Sequence, residues 1–224
     1  MATTKQRGFS LLELMIVITF SLIMSGITYV AMKTFVVQGH LSQAYETTFM
    51  ALRTARNLAI TQQHEYYVVF YGSGGPGGTF PVFPAGTILV EYQPPAVGGV
   101  YPALQQVNTY TIPSDTSFAI PSVAGFPTGA AKTPDGFGTG VTAIDFGQTL
   151  SEGSLAYVVF MPDGSSQDSL GNSNSGIIYI TDTGATGTAQ LLATRAITVW
   201  GATGRVRGWA LNQTGAASYE WVQE

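Results

Sequence analysis

The chain has 224 residues, 45% of them apolar and 10% charged, with a net charge of −4, 27 glycines and no cysteine. That length suits one domain plus a long helix, and the glycine-rich, weakly charged composition points to a β-rich domain. Without cysteine there is no disulfide and no thiol nucleophile, and no histidine follows His64 to serve a catalytic triad or a zinc site.

The first eight residues are polar and carry Lys5 and Arg7. From Leu14 to Met32 run 19 residues with no charge and no proline. A helix of that length crosses roughly 30 Å of hydrocarbon. Positive charge ahead of the span keeps that end in the cytoplasm and places the rest outside the inner membrane. The run is too long for a secretory signal core, and no Ala-x-Ala site closes it. Glu13 stands at its start, and a carboxylate in lipid needs a partner.

Arg7-Gly8-Phe9, followed by Ser10-Leu11-Leu12-Glu13 and Leu14-Met15-Ile16-Val17-Ile18, resembles the class III signal of type IV pilins and pseudopilins. The resemblance implies cleavage by prepilin peptidase between Gly8 and Phe9 and N-methylation of Phe9. It also implies that Glu13 pairs with the N-terminal amine of a neighbouring subunit during assembly. The implied partners are other pilins or pseudopilins, the prepilin peptidase/methyltransferase and an inner-membrane assembly platform. Major pilins usually carry a proline in the second half of this helix, whereas here none precedes Pro76. Gly26 and Gly39 are weaker breaks, since glycine costs about 1 kcal/mol in a helix against about 3 for proline. A continuous helix is expected, as in minor pilins and pseudopilins.

The helix should continue past the span. Leu41–His64 contains neither glycine nor proline, and Leu41, Tyr45, Thr48, Leu52, Ala55 and Ala59 recur every three to four residues. Glu46, Arg53, Arg56 and Gln63 fall mostly off that stripe. The two halves together predict one helix of about 55 residues, roughly 80 Å long at 1.5 Å per residue. His40 and His64 both lie on it, about 36 Å apart, so they cannot meet within one chain.

Strands are predicted at Tyr66–Tyr71, Thr87–Tyr92, Val107–Ile112, Ser117–Ile120, Val141–Phe146, Leu155–Met161, Gly176–Thr181, Leu191–Trp200 and Arg205–Leu211. Turns at Gly72–Gly78, Pro162-Asp163-Gly164, Thr181–Thr188 and Ala202-Thr203-Gly204 separate several of them. The fold class is therefore α+β: one long N-terminal helix packed on a C-terminal antiparallel sheet domain. The expected divisions are a leader at 1–8, a membrane and filament-core segment at 9–37, an amphipathic segment at 38–64 and a β-rich domain at 65–224.

The strand and turn Val158-Val159-Phe160-Met161-Pro162-Asp163-Gly164, the strand at Gly176–Thr181 and the pair joined at Thr203-Gly204-Arg205 resemble the GspH/FimT family of minor pilins and pseudopilins. That resemblance implies a structural subunit of a type IV pilus or a type II secretion filament, and not an enzyme. No cofactor is expected. The segment Gly72–Gly140 matches no pattern.

Charge is unevenly spread. Between Asn57 and Thr194 the only basic residue is Lys132, against nine acidic ones, whereas Arg195, Arg205 and Arg207 follow. Arg205, Arg207 and Trp209 alternate along one strand and so share a face. Guanidinium forks suit phosphates and an aromatic ring stacks on a base, so this trio is a candidate DNA contact. Some FimT-like pilins serve DNA uptake, and Gly204-Arg205-Val206-Arg207 fits the segment expected to touch DNA there. Asp163 and Asp168 lie in an oxygen-rich loop that offers a weak calcium site, without the usual ligand spacing or closing glutamate. Gly72-Ser73-Gly74-Gly75-Pro76-Gly77 matches a dinucleotide fingerprint in letters only. Thr79-Phe80-Pro81 behind it cannot begin the helix that would hold a pyrophosphate.

Overall fold

A computed structural model describes residues 10–71, 83–129, 131–146, 157–168, 170–215 and 218–224. Helix α1 (Leu11–Gln62) is 52 residues long. It ends where Gln63 turns into the left-handed region at φ 57°. The Gln63 side-chain amide donates to the Ile60 carbonyl at 2.6 Å, satisfying one of the carbonyls that a helix end leaves free.

The chain forms two compact units, residues 1–39 and His40–Glu224. In the first, Leu11–Thr28 has a mean hydropathy of 2.1 and none of it is buried, so it is long and apolar enough to cross a membrane. The hydroxyls of Thr19, Ser21 and Thr28 donate to carbonyls four residues back. Their polar groups are thus satisfied inside the helix, as a span in lipid requires.

The second unit is built on two antiparallel sheets. The first has the order β3 (Gln105–Thr111), β2 (Thr87–Tyr92), β1 (Tyr66–Tyr71), β6 (Tyr157–Phe160). The second runs β10 (Ser218–Gln223), β9 (Arg205–Gly215), β8 (Thr194–Trp200), β7 (Gly176–Asp182), β4 (Thr116–Ser117), with β5 (Ile144–Phe146) also pairing β7. The arrangement is the expected α+β, pilin-like one.

The predicted helical stripe is the buried one. Leu41, Tyr45, Thr48, Leu52, Ala55 and Ala59 are all buried, and Ala44 and Ala51 join them. All of these but Thr48 pack in a single core with Tyr66, Val68 and Phe70 of β1, Ile88 and Val90 of β2, Ile178 and Ile180 of β7, and Ile197 and Val199 of β8. The helix therefore seals both sheets. Period-two alternation in β7 sends the other residues, Ile177 and Tyr179, to a second core with Phe126, Leu191 and Leu211. Burial of each large side chain there stabilises by about 1.5–3 kcal/mol.

Several boundaries differ from expectation. Leu191 and Leu192 end a short helix α2 (Thr188–Leu192), and β8 begins only at Thr194. The apolar pair gave no period to separate one helical turn from a strand. Of the strand expected at Ser117–Ile120 only Ser117 is in β4, which begins one residue earlier, and Phe118 turns into the core against Phe70, ring centroids 5.3 Å apart. Strand β9 runs on to Gly215, and β10 follows it. The glycine turn at Gly72–Gly78 and Leu155, the first residue expected in β6, lie outside the described residues.

Candidate functional site

Glu13 lies in the first turn of α1. Its backbone N–H donates to the Ser10 carbonyl at 3.0 Å. A carboxylate in a helix's first turn is favoured by the aligned peptide dipoles. Around it, Leu11, Leu12, Leu14, Met15, Ile16 and Val17 are exposed large apolar side chains. Glu13 is thus a lone acid on an unburied apolar surface, without a side-chain partner among the described residues. Gly8 and Phe9 lie outside the described residues.

Residues 3–29 match the prokaryotic N-terminal methylation motif. The chain carries the sequence signal of type IV pilin-like proteins at its apolar helix. The match covers the Gly8-Phe9 junction, Glu13 and the membrane-length segment together. No curated protein matches the chain, and no solved structure does. The signal and the apolar helix together point to a membrane-anchored structural subunit.

The C-terminal trio shares one face of β9, as its spacing implied, and one of its arginines is already paired. Arg205, Arg207 and Trp209 do alternate with the buried Val206, Gly208 and Ala210 along β9. Arg207, however, donates through Nη1 to Asp135 Oδ1 at 2.9 Å. Its guanidinium also lies 5.2 Å from the centre of the Trp200 ring. The second Asp135 oxygen accepts from Thr198 Oγ1 at 2.6 Å and from Trp200 Nε1 at 3.0 Å. Trp209 Nε1 donates to the same Thr198 hydroxyl at 3.0 Å. Asp135 thus neutralises one arginine and fixes two side chains of the neighbouring strand. The Arg205 side chain remains exposed, its guanidinium without a hydrogen-bond or ion-pair partner among the described residues, while its N–H donates to Thr203 Oγ1 at 3.3 Å.

Asp163 and Asp168 are each bound by their own loops. Ser165 donates to Asp163 Oδ1 through its hydroxyl at 2.6 Å and its N–H at 2.8 Å, which holds that carboxyl below its usual range. For Asp168, burial pushes the carboxyl up. The N–H groups of Asn172 and Leu170 and the Asn172 amide outweigh it and leave the carboxyl below its usual value. These donors engage Asp163 Oδ1 and both oxygens of Asp168. Among the described residues no three His, Cys, Asp or Glu side chains converge.

Two arginines on the off-core side of α1 have defined roles that sequence reading left open. Arg56 donates through Nε to the Gly164 and Thr203 carbonyls, each at 3.2 Å, and through Nη2 to Thr203 at 2.9 Å. Arg53 stacks over Phe49 at 4.5 Å. The signal available in sequence was their spacing three apart on one helix flank.

Proposed function

We propose that this chain is a filament subunit of the type IV pilin kind, a minor pilin or pseudopilin. Prepilin peptidase cuts it between Gly8 and Phe9, and Phe9 is N-methylated. The mature helix enters a filament core, where Glu13 pairs with the N-terminal amine of a neighbour. The globular unit faces the periplasm before assembly and the outside of the filament afterwards. The observation that carries this reading is the methylation motif over residues 3–29, set on a helix with Glu13 in its first turn and no side-chain partner for that acid among the described residues. An amine brought up by the next subunit supplies the charge that a carboxylate in lipid lacks.

The strand–turn pattern of β6 and the β8–β9 pair supports the GspH/FimT type within that class. Either a type IV pilus or a type II secretion filament accommodates it. Nucleic-acid binding through Arg205, Arg207 and Trp209 is the rival role, and it has little to draw on. One guanidinium of the pair is already neutralised, and two phosphate contacts at most give a shallow salt dependence.

The test is mass spectrometry of the N-terminal peptide in filaments sheared from cells and in the membrane fraction. A peptide beginning at methylated Phe9 in sheared filaments supports a surface pilus. The same peptide only in membranes supports a secretion filament. A chain beginning at Met1 or Ala2 in both fractions overturns the reading.

A further inference from the structure

The connection between β6 and β7 folds into a small hairpin that gathers side-chain oxygens on one face. Gln167 bridges to Ser173. Asn174 donates its N–H to the Ser166 carbonyl at 2.8 Å, and Asp168 donates its N–H to the Asn172 carbonyl at 2.9 Å. This register sets Ser166 opposite Asn174 and Asp168 opposite Asn172. Residues two apart on a strand share a face, and so do residues directly opposite. Ser166, Asp168, Asn172 and Asn174 therefore project from one side. The Asn172 amide agrees with this, since it reaches Asp168 Oδ2 at 3.3 Å. The hairpin is also held at its base. Ser166 donates its N–H to the Gly201 carbonyl at 2.7 Å, and the Gly201 N–H donates to Ser175 Oγ at 2.9 Å.

Three of the four side chains are shut off from water. Ser166 is 1% exposed, Asn174 3% and Asp168 6%. Ser166 Oγ and Asn174 Oδ1 are buried without a hydrogen-bond partner among the described residues. A buried acceptor left unpaired is costly. Asp168 brings a carboxylate to the same face, and its printed donors are all neutral: the N–H groups of Leu170 and Asn172 and the Asn172 amide. Two orphaned oxygens and an uncompensated carboxylate lack the same thing, which is positive charge.

We propose that this face binds a calcium ion through Asp168 Oδ2, Asn174 Oδ1 and Ser166 Oγ. Asn172 joins them when its amide turns over and offers oxygen in place of nitrogen. Water and backbone carbonyls complete the six to eight oxygens that calcium takes. The ligands are hard and neutral apart from one carboxylate, and their geometry is irregular. Calcium tolerates that, whereas magnesium demands a near-ideal octahedron and gives up its own water reluctantly. An ammonium or guanidinium from a partner is too bulky to reach oxygens that water itself does not reach. Asp163 takes no part, because Ser165, which binds its carboxyl, alternates to the other face of the hairpin. The inference stands apart from the filament reading, since every ligand belongs to the single subunit.

The test is calorimetric titration of the full chain in detergent micelles with calcium chloride, after a chelator has stripped divalent ions, with magnesium chloride for comparison. Calcium should bind with a dissociation constant of about 0.1–1 mM, as at weakly charged sites. Magnesium should bind at least tenfold more weakly. Asp168→Asn should weaken calcium binding at least tenfold, and Asp163→Asn should bind as wild type does. Thermal melts of Asn174→Ala give a readout that a purely structural role would not move. The gap in melting temperature between this variant and wild type should widen when calcium is added, because only wild type gains the full binding energy. No calcium binding up to about 10 mM, well above that range, magnesium binding as tight as calcium, undiminished binding in Asp168→Asn, or a gap that calcium leaves unchanged would each overturn the proposal.

Discussion

Gly208 of β9 lies directly against the hydroxyl of Tyr45 on α1, and a Cβ at position 208 would occupy the space of that oxygen. The contact sets how closely the helix approaches the sheet. Gly208→Ala should therefore destabilise the fold, since overpacking a filled interior costs about 1–3 kcal/mol. Tyr45→Phe removes the nearest obstructing atom but leaves the ring carbon behind it in the way, so the double variant should recover part of the loss. Denaturant unfolding of the four proteins forms the cycle. Independent, additive losses would show that the two residues do not share the contact.

Asp135 holds together groups distant in sequence. It accepts from Arg207, 72 residues away, and from Thr198 and Trp200. Asp135→Ala should cost about 3 kcal/mol, because it leaves a partly buried guanidinium without its counter-charge. It also frees the Trp200 indole, which should shift tryptophan emission to the red. An unchanged melting temperature would show that the ion pair adds nothing to stability.

Two tyrosines make the fold sensitive to alkali. Burial, then the nearby Glu224 and Glu46, pushes the Tyr45 phenol up to about 12, and burial with Glu65 does the same for Tyr67. The unfolded chain loses these protons near pH 10, whereas the folded chain keeps them until about pH 12. In that window the unfolded state binds fewer protons, so stability should be full below pH 10 and fall as pH rises toward 12. Melts across the window check this. Tyr67→Phe should flatten the decline, and an unaltered slope would contradict the assignment.

Processing and assembly should separate at two positions. Gly8→Ala should leave the chain uncleaved and out of filaments. Glu13→Ala should also stay out of filaments, because the amine of the neighbour finds no carboxylate. Immunoblots of sheared filaments read both variants, and normal incorporation of the pair would end the pilin-type proposal.

The helix was legible in sequence because its buried stripe is strictly periodic over Leu41–Ala59 and no proline interrupts it. Strands β1 and β2 fell at their expected limits because each is a compact β-branched and aromatic run. Strand β10 was missed because Ser218, Glu220 and Gln223 are exposed and polar, and its aromatic members only half bury. The neutralisation of Arg207 was invisible for another reason. Asp135 sits in a loop dense in glycine and proline, and no local pattern reports which distant charge such a loop will meet. Arg53 and Arg56 fell off the apolar stripe, and only the folded turns at Gly164 and Thr203 give Arg56 its bonds.

Arg56 has one more consequence, a mechanical one. Its single guanidinium grips the turn after β6, at Gly164, and the turn between β8 and β9, at Thr203. Gly204 takes a φ of 59° beside it, leaving room for the side chain to pass. Tension along α1 is therefore carried into two separate hairpins at once, with the hydrogen bonds loaded together instead of one after another. A helix under pull would have to break both grips before it could slide against the sheets.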